Sequence, residues 1–356
     1  MSVVRSAARR LGLRSAPPPT PAARLDRMSR RIRRLRARNA KLTKQVARLR
    51  ARKQALTERV ADLARGTSAL AGIPGKTRLE LRRECVLSAV AADASILEIG
   101  PAHNAILPKR EGYRTRTVDY LDRDGLVERY KDFKNYSPDD IEEVDYVLAP
   151  GAPLADVIPD RFDLVLASHV IEHTTSMIDF LNESARLLNP GGVLALVVPD
   201  HRYCFDRFRE RSSLGRVIDS SLAPPPVHTV GTVIEEKISG SRHGGTTAWA
   251  PGHLGDYAFL NDHAKALAYG EEARKAERYI DTHNWVSTPH HLRLLLQDLH
   301  GLGFISLREC YFHDTVRHEF FLSLSVDGPG SGLSREELTV LSEGERRSLD
   351  PPTFAT

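Results

Sequence analysis

The stretch Ser95-Ile-Leu-Glu-Ile-Gly-Pro-Ala-His-Asn104 decides the fold. An apolar run from Ile96 to Ile99 carries one acid, Glu98, and breaks at Gly100 into a loop. A buried parallel strand delivers its carboxyl end to a ligand in this way. A carboxylate two residues before the glycine can accept hydrogen bonds from the amino group or ribose of a nucleoside-type ligand. Glycine lets the backbone come close, because no Cβ intervenes.

Matching pieces follow downstream. Thr115-Arg-Thr-Val-Asp-Tyr120 alternates like a strand and ends on Asp119. An acid about 20 residues past such a loop is placed to hold ribose hydroxyls. Arg161-Phe-Asp-Leu-Val-Leu-Ala-Ser168 is another apolar strand, running into His169-Val-Ile-Glu-His173 and then a helix. Leu187-Leu-Asn-Pro-Gly-Gly192 closes that helix with a sharp turn and feeds Val193-Leu-Ala-Leu-Val-Val-Pro-Asp200.

Taken in order, these residues resemble the class I S-adenosylmethionine-dependent methyltransferases, in particular their type 11-like domain. The likeness is good over 76–205 and weaker to 326. It implies an α/β, Rossmann-like sheet of seven strands in the order 3-2-1-4-5-7-6. The last strand is antiparallel and helices cover both faces. It implies S-adenosyl-L-methionine as cofactor, bound by Glu98, Gly100, Ala102, Asn104, Asp119, Ser168 and His169. Two places where the family usually carries glycine hold Ala102 and Asn104 instead. Alanine is small, and asparagine tolerates a left-handed backbone. The acid expected after the third strand is replaced by Pro150-Gly151, so backbone groups are the remaining candidates there. A nicotinamide-binding loop needs glycines at its first, third and sixth places. Here those hold Gly100, Ala102 and Ala105, so that reading fails.

Charge divides the 356 residues unevenly. Residues 1–65 carry 20 Lys and Arg against 3 Asp and Glu, a net +17, while the remainder is net −12. The basic pI of 9.1 therefore describes neither part. Three scattered cysteines, Cys85, Cys204 and Cys310, form no CxxC pair and suit a reducing cytosol. No run of 18 apolar residues is present, and the arginines near the start lack an apolar segment after them. The expected location is cytoplasmic, with peripheral attachment at the inner membrane face as an option.

Residues 1–24 are expected to be a disordered basic arm, interrupted by Pro17, Pro18, Pro19 and Pro21. Residues 25–65 carry a heptad pattern. Leu35, Leu42, Leu49, Leu56 and Leu63 stand at d, and Leu25, Ile32, Asn39, Val46, Lys53 and Val60 at a. This predicts a parallel dimeric coiled coil through 25–63, with Asn39 and Lys53 fixing register. The arginines overlap the heptads instead of preceding them, so no sequence-specific DNA binding is expected. Attraction of the arm to an anionic membrane or polyanion fits its charge. A linker spans 66–75 and the methyltransferase domain 76–326, with 207–290 as an insertion and acceptor region. The tail 327–356 reads as disordered.

Displacement at a sulfonium methyl demands alignment and exclusion of water, and an oxygen acceptor gains from a base. His201, His283 and His169 are the candidate catalytic residues, and Asp200, Tyr203 and Trp285 the candidate acceptor contacts. His169-Val-Ile-Glu-His173 also spells an H-x-x-E-H signature. A strand runs straight into His169 and no third ligand is evident, so no metal is expected. His290 and His291 are expected to face solvent at a helix start.

The resemblance of 199–206 and 281–289 to a bacterial branch tied to cell-surface glycan assembly implies a small-molecule or glycan substrate, a sugar hydroxyl in particular. Two rivals differ in kind. One is a coiled-coil scaffold with a degenerate cofactor fold. The other is a nucleic-acid methyltransferase tethered by the basic arm, which the acidic remainder disfavours.

Overall fold

The computed structural model describes residues 20–65, 76–133, 136–149, 152–243, 246–247, 249, 256–275, 279–348 and 353–354. The expected arm before residue 20 and the linker 66–75 lie outside them. The chain divides into two units, 1–62 and 63–356. The first is dominated by one helix, α1 (Pro21–Arg65). It starts at the last proline of the expected arm, because proline is tolerated in a helix's first turn. Its heptad residues Leu25, Ile32, Leu35, Leu42 and Val46 are exposed.

The second unit enters through α2 (Arg78–Leu87), whose Thr77 and Glu80 form a reciprocal capping box. Its elements then alternate as β1 (Ile96–Ile99), β2 (Thr115–Asp119), α3 (Arg123–Tyr130), β3 (Tyr146–Val147), α4 (Leu154–Val157), β4 (Phe162–Ser168), α5 (Met177–Arg186) and β5 (Leu188–Pro199). The insertion carries α6 (Leu214–Leu222), α7 (Val230–Ser239), β6 (Ser241–His243), β7 (Thr246–Thr247), β8 (Asp256–Phe259) and α8 (His263–Lys275). It is followed by α9 (Pro289–Gly301), β9 (Arg308–Val316), β10 (Glu319–Ser325), α10 (Arg335–Arg347) and β11 (Thr353–Phe354).

The main sheet has seven strands in the order β3-β2-β1-β4-β5-β10-β9. Strands β1 to β5 run parallel, and β10 is antiparallel to both β5 and β9. This is the expected 3-2-1-4-5-7-6 order. Apolar clusters fill both faces. One gathers Leu97, Val165, Leu194 and Phe320 with Leu181 of α5 and Leu296 of α9. The other gathers Leu164, Leu166, Val197 and Phe321 with Leu81 and Val86 of α2. Such a doubly covered sheet explains why its strands read as continuous apolar runs. The irregularity near the start of β5, where its register against β4 shifts, needs Gly192: a Cβ there would stand 2.9 Å from the carbonyl oxygens of Asn189 and Phe162.

The tail departs from expectation. Helix α10 is capped by a Ser334–Glu337 box and buries Leu338 and Leu341. Beyond it, β11 pairs in parallel with β8 in a second sheet, ordered β11-β8-β6-β7. Glu345 of α10 accepts from Thr288 Oγ1 at 2.6 Å and from the His290 N–H at 3.1 Å, capping the start of α9. His290, expected at the surface, is therefore 7% exposed and paired with Glu345.

Candidate active site

The carboxyl ends of β1, β2, β4 and β5 meet where the strand order reverses, the usual ligand crevice of such sheets. On the β1–β2 side, Gly100 has a left-handed backbone (φ 61°) and donates its N–H to Val118 O at 2.8 Å. Ala102 is also left-handed, at φ 43°. Here, and not at Asn104, the chain occupies a conformation that glycine would take without strain. The exposed Asn104 instead pairs with the neighbouring His103 ring at 2.9 Å.

Both carboxylate oxygens of Glu98 are bonded to its own loop. Its Oε1 accepts from the Ile106 N–H at 2.7 Å and its Oε2 from the Leu107 N–H at 3.1 Å. It ties the far end of the loop back onto β1. Burial pushes its pKa up to about 7, against those two N–H donors. Asp119 is different. Its Oδ1 accepts from the Tyr120 N–H at 2.8 Å and its Oδ2 from the Ala102 N–H at 3.3 Å. A carboxylate offers about four acceptor positions. Asp119 thus keeps capacity at the mouth of the crevice, and burial raises its pKa.

The β4–β5 side gathers histidines and acids. His169 follows β4 directly, with φ 54° and its N–H bonded to Val197 O. Its Nε2 lies 3.2 Å from Glu319 Oε2 and its Nδ1 3.4 Å from Glu172 Oε1. Glu319 also takes the guanidinium groups of Arg78 and Arg82 at 2.8 Å; burial pushes its carboxyl up, but His169 and the two arginines hold it far below the usual range. Arg82 reaches Ser168 Oγ at 3.4 Å, so that hydroxyl faces α2. Left-handed, non-glycine backbone at both Ala102 and His169 is strain held at the strand ends, as functional sites commonly hold it.

The Asn284 and Trp285 N–H groups both donate to Glu172 O, at 2.7 and 3.1 Å. This places His283 against His173, their ring centroids 4.8 Å apart. His283 Nδ1 meets Asp206 Oδ2 at 3.2 Å, and His173 Nδ1 meets Asp281 Oδ1 at 2.8 Å. Burial opposes a charge on His173, but Asp281 outweighs it and holds the imidazole pKa at about 9. Phe205 and Trp249 pack on His283, with centroids 4.9 and 6.0 Å away, and Trp249 also faces His169 and His318.

Of the residues expected from sequence, His169 and His283 join this cluster, and four others stand apart. His201 is buried and its Nε2 lies 3.1 Å from Asp206 O, which closes its own loop. Asp200 is fully buried between Arg202 and Thr315. Tyr203 lies under the Arg202 guanidinium. Trp285 is a core residue, 4% exposed, with Nε1 on Thr174 Oγ1. Glu172, Asp206, Trp249, Asp281 and Glu319 were not singled out by the sequence reading. The only signal that could have found Glu172 was its place in the H-x-x-E-H run.

Among the described residues no helix is long and apolar enough to cross a membrane. The profile of a family described as "Methyltransferase domain" matches residues 26–302. Comparison with curated protein sequences gave no match. Among solved structures, the CcbJ methyltransferase from Streptomyces caelestis is 12% identical, with a TM-score of 0.37; 72% of this chain and 99% of that one are covered. The PH0226 protein from Pyrococcus horikoshii is 11% identical over 70% of this chain and 92% of its own, with a TM-score of 0.35. A methyltransferase from Pyrococcus furiosus is 18% identical over 48% and 87%, with a TM-score of 0.27. None of these three likenesses bears on substrate or mechanism.

Proposed function

The chain belongs to this methyltransferase-domain family, and we propose that it moves a methyl group from S-adenosyl-L-methionine to a hydroxyl of a sugar or another small polyhydroxylated molecule. The observation that carries this reading is the two-sided crevice: Asp119 with spare acceptor capacity on one side, and the His169–Glu172–His173–His283 cluster on the other. When bound, the cofactor supplies the electrophilic methyl group. Gly100 and Ala102 bend the loop to admit it, and Asp119 takes its ribose hydroxyls.

Phe205 and Trp249 offer apolar faces beside polar groups, the mixed lining that suits a sugar ring. His169 is the residue to take the acceptor's proton. Glu319 at Nε2 orients the ring and leaves Nδ1, on the Glu172 side, to take the proton. The histidine sits at the strand end instead of inside a loop, which fixes its aim.

The test is radiolabelled methyl transfer from S-adenosylmethionine to a panel of mono- and oligosaccharides, with His169→Gln in parallel. A sugar methylated by the wild type, with kcat lowered about 10²-fold or more in the variant, supports the reading. Incorporation into nucleic acid but no sugar would reject it.

The heptad ladder of α1 supports a parallel homodimer. Among the described side chains, Leu25, Ile32, Leu35, Leu42 and Val46 at a and d are exposed on the helix, and Asn39 falls at an a position. Sixteen basic and three acidic side chains between Pro21 and Arg65 oppose that pairing at low salt.

A further inference from the structure

The geometry points to a divalent transition-metal site built by Glu172, His173 and His283, with room left for the oxygen of the methyl acceptor. This deepens the proposed reaction and rests on it for the acceptor's identity. The ion site itself stands on separate observations.

Glu172 is 2% exposed, and neither of its carboxylate oxygens has a hydrogen-bond donor. A buried carboxylate without donors is costly and calls for a positive partner. Its nearest polar groups are ring nitrogens: His169 Nδ1 at 3.4 Å and His173 Nε2 at 3.9 Å from Oε1. One ligand atom each from Glu172, His173 and His283 falls within 4.8 Å of the other two. Ligands on one zinc-sized ion, bonded at about 2.0–2.2 Å, stand about 3–4 Å apart, so small side-chain shifts would close the set.

The outer ring of contacts makes the case specific. A metal-bound histidine commonly gives its other nitrogen to a carboxylate, which fixes the tautomer and aims the free lone pair. His283 makes that hydrogen bond, and His173 has a carboxylate at ion-pair distance. Asp281 stands at Nδ1 of His173 and Asp206 at Nδ1 of His283, leaving both Nε2 atoms as ligands. Asp206 is in turn held by Arg209 at 3.1 Å. The two backbone bonds onto Glu172 O clamp the His283 segment to the Glu172 turn, so the three ligands are fixed by main chain.

Two histidines and one glutamate form a three-ligand set that leaves a position open, as in catalytic zinc sites. The neighbouring group His169, His318 and Glu319 also has ligand-type atoms in range. There, however, Arg78 and Arg82 already neutralise the glutamate.

The expected function of the ion is to hold the acceptor oxygen and lower its pKa, with the released proton passing to His169. Its binding is tested without donor or acceptor. Full-length protein is stripped with EDTA, then titrated with zinc(II) by calorimetry and with cobalt(II) by visible absorption. The expected result is one equivalent per chain, with a cobalt d–d spectrum. Glu172→Gln and His283→Ala should each weaken binding at least 100-fold. Asp281→Asn, at an exposed position outside the ligand set, should weaken it a few-fold to about 10-fold, and His318→Ala should leave it unchanged. Circular dichroism confirms that each variant is folded. The site is overturned if folded wild-type protein takes up no stoichiometric zinc or cobalt, or if Glu172→Gln or Asp281→Asn binds as tightly as the wild type. Metal uptake without binding of S-adenosylmethionine would sink the methyl-transfer reading alone; cofactor binding without metal uptake would sink this site alone.

Discussion

Helix α1 leaves Leu25, Met28, Ile32, Leu35, Leu42 and Val46 between 45% and 65% exposed, while the catalytic unit hides Glu172, Asp206, Arg209 and His283 at 6% or less. The helix puts apolar surface where water is, and the crevice puts charge where water is not. Each arrangement is unfavourable in isolation. They teach that an element out of balance is best read by asking what would complete it: a second helix in one case, a cation and a ligand in the other.

The strongest way to break this comparison is Leu35→Glu with Leu42→Glu. Each dimer would lose four buried leucines, at about 2 kcal/mol apiece, so association should weaken by roughly 10⁵–10⁶-fold. Light scattering should report a monomer whose catalytic unit melts as before. An unchanged dimer would mean that the ladder is not the seam.

Next in size is Asp119→Ala, which removes the acceptor with spare capacity. Cofactor affinity by calorimetry should drop about 10–100-fold, the loss of one or two charge-assisted bonds. Glu98→Gln probes the opposite role, a carboxylate consumed by the fold. Its amide would set an N–H against the Ile106 or Leu107 N–H, and urea unfolding should show a loss of about 1–3 kcal/mol.

A subtler test concerns His291, whose pKa burial and then Arg211 push down to about 3, from an ordinary 6.5. The folded form keeps this imidazole neutral while the unfolded chain protonates. Its contribution to stability is therefore present above pH 6.5 and is lost as the pH falls toward 3. His291→Gln should flatten the decline of melting temperature across that window, and an identical decline would rule the histidine out as its source. Smallest of all, Ala102→Gly relieves a left-handed alanine and should raise stability by about 0.5–1 kcal/mol. A fall would show that the alanine methyl packs usefully.

Much of the sheet could be read from the sequence, because doubly covered strands leave continuous apolar runs between loops. Val165, Leu166 and Ala167 of β4 have no solvent face to reveal alternation, and Pro190-Gly191-Gly192 marks the first residues of β5. Asp119 could be read by its distance from Gly100. The acceptor cluster was largely hidden. Glu172, Asp206 and His283 lie in separate segments and meet because main-chain bonds clamp 284–285 onto Glu172. No periodicity records such a clamp. Trp285 looked like a recognition residue among polar neighbours, yet those neighbours turn out to bond other segments, His283 to Asp206, Asn284 to Arg216 and Thr288 to Glu345, and leave the indole inside.

Helix α10 was missed for another reason. It buries only a narrow stripe, so composition suggested a solvated tail, although Ser334 and Glu337 carried the capping signal.

Glu345 has a practical consequence. One carboxylate near the C-terminal end of α10 holds the first turn of α9, a few residues beyond the segment that presents His283. Trimming, tagging or anchoring the protein at that end pulls on a lever whose short arm reaches the crevice. An immobilised preparation should therefore be tethered elsewhere.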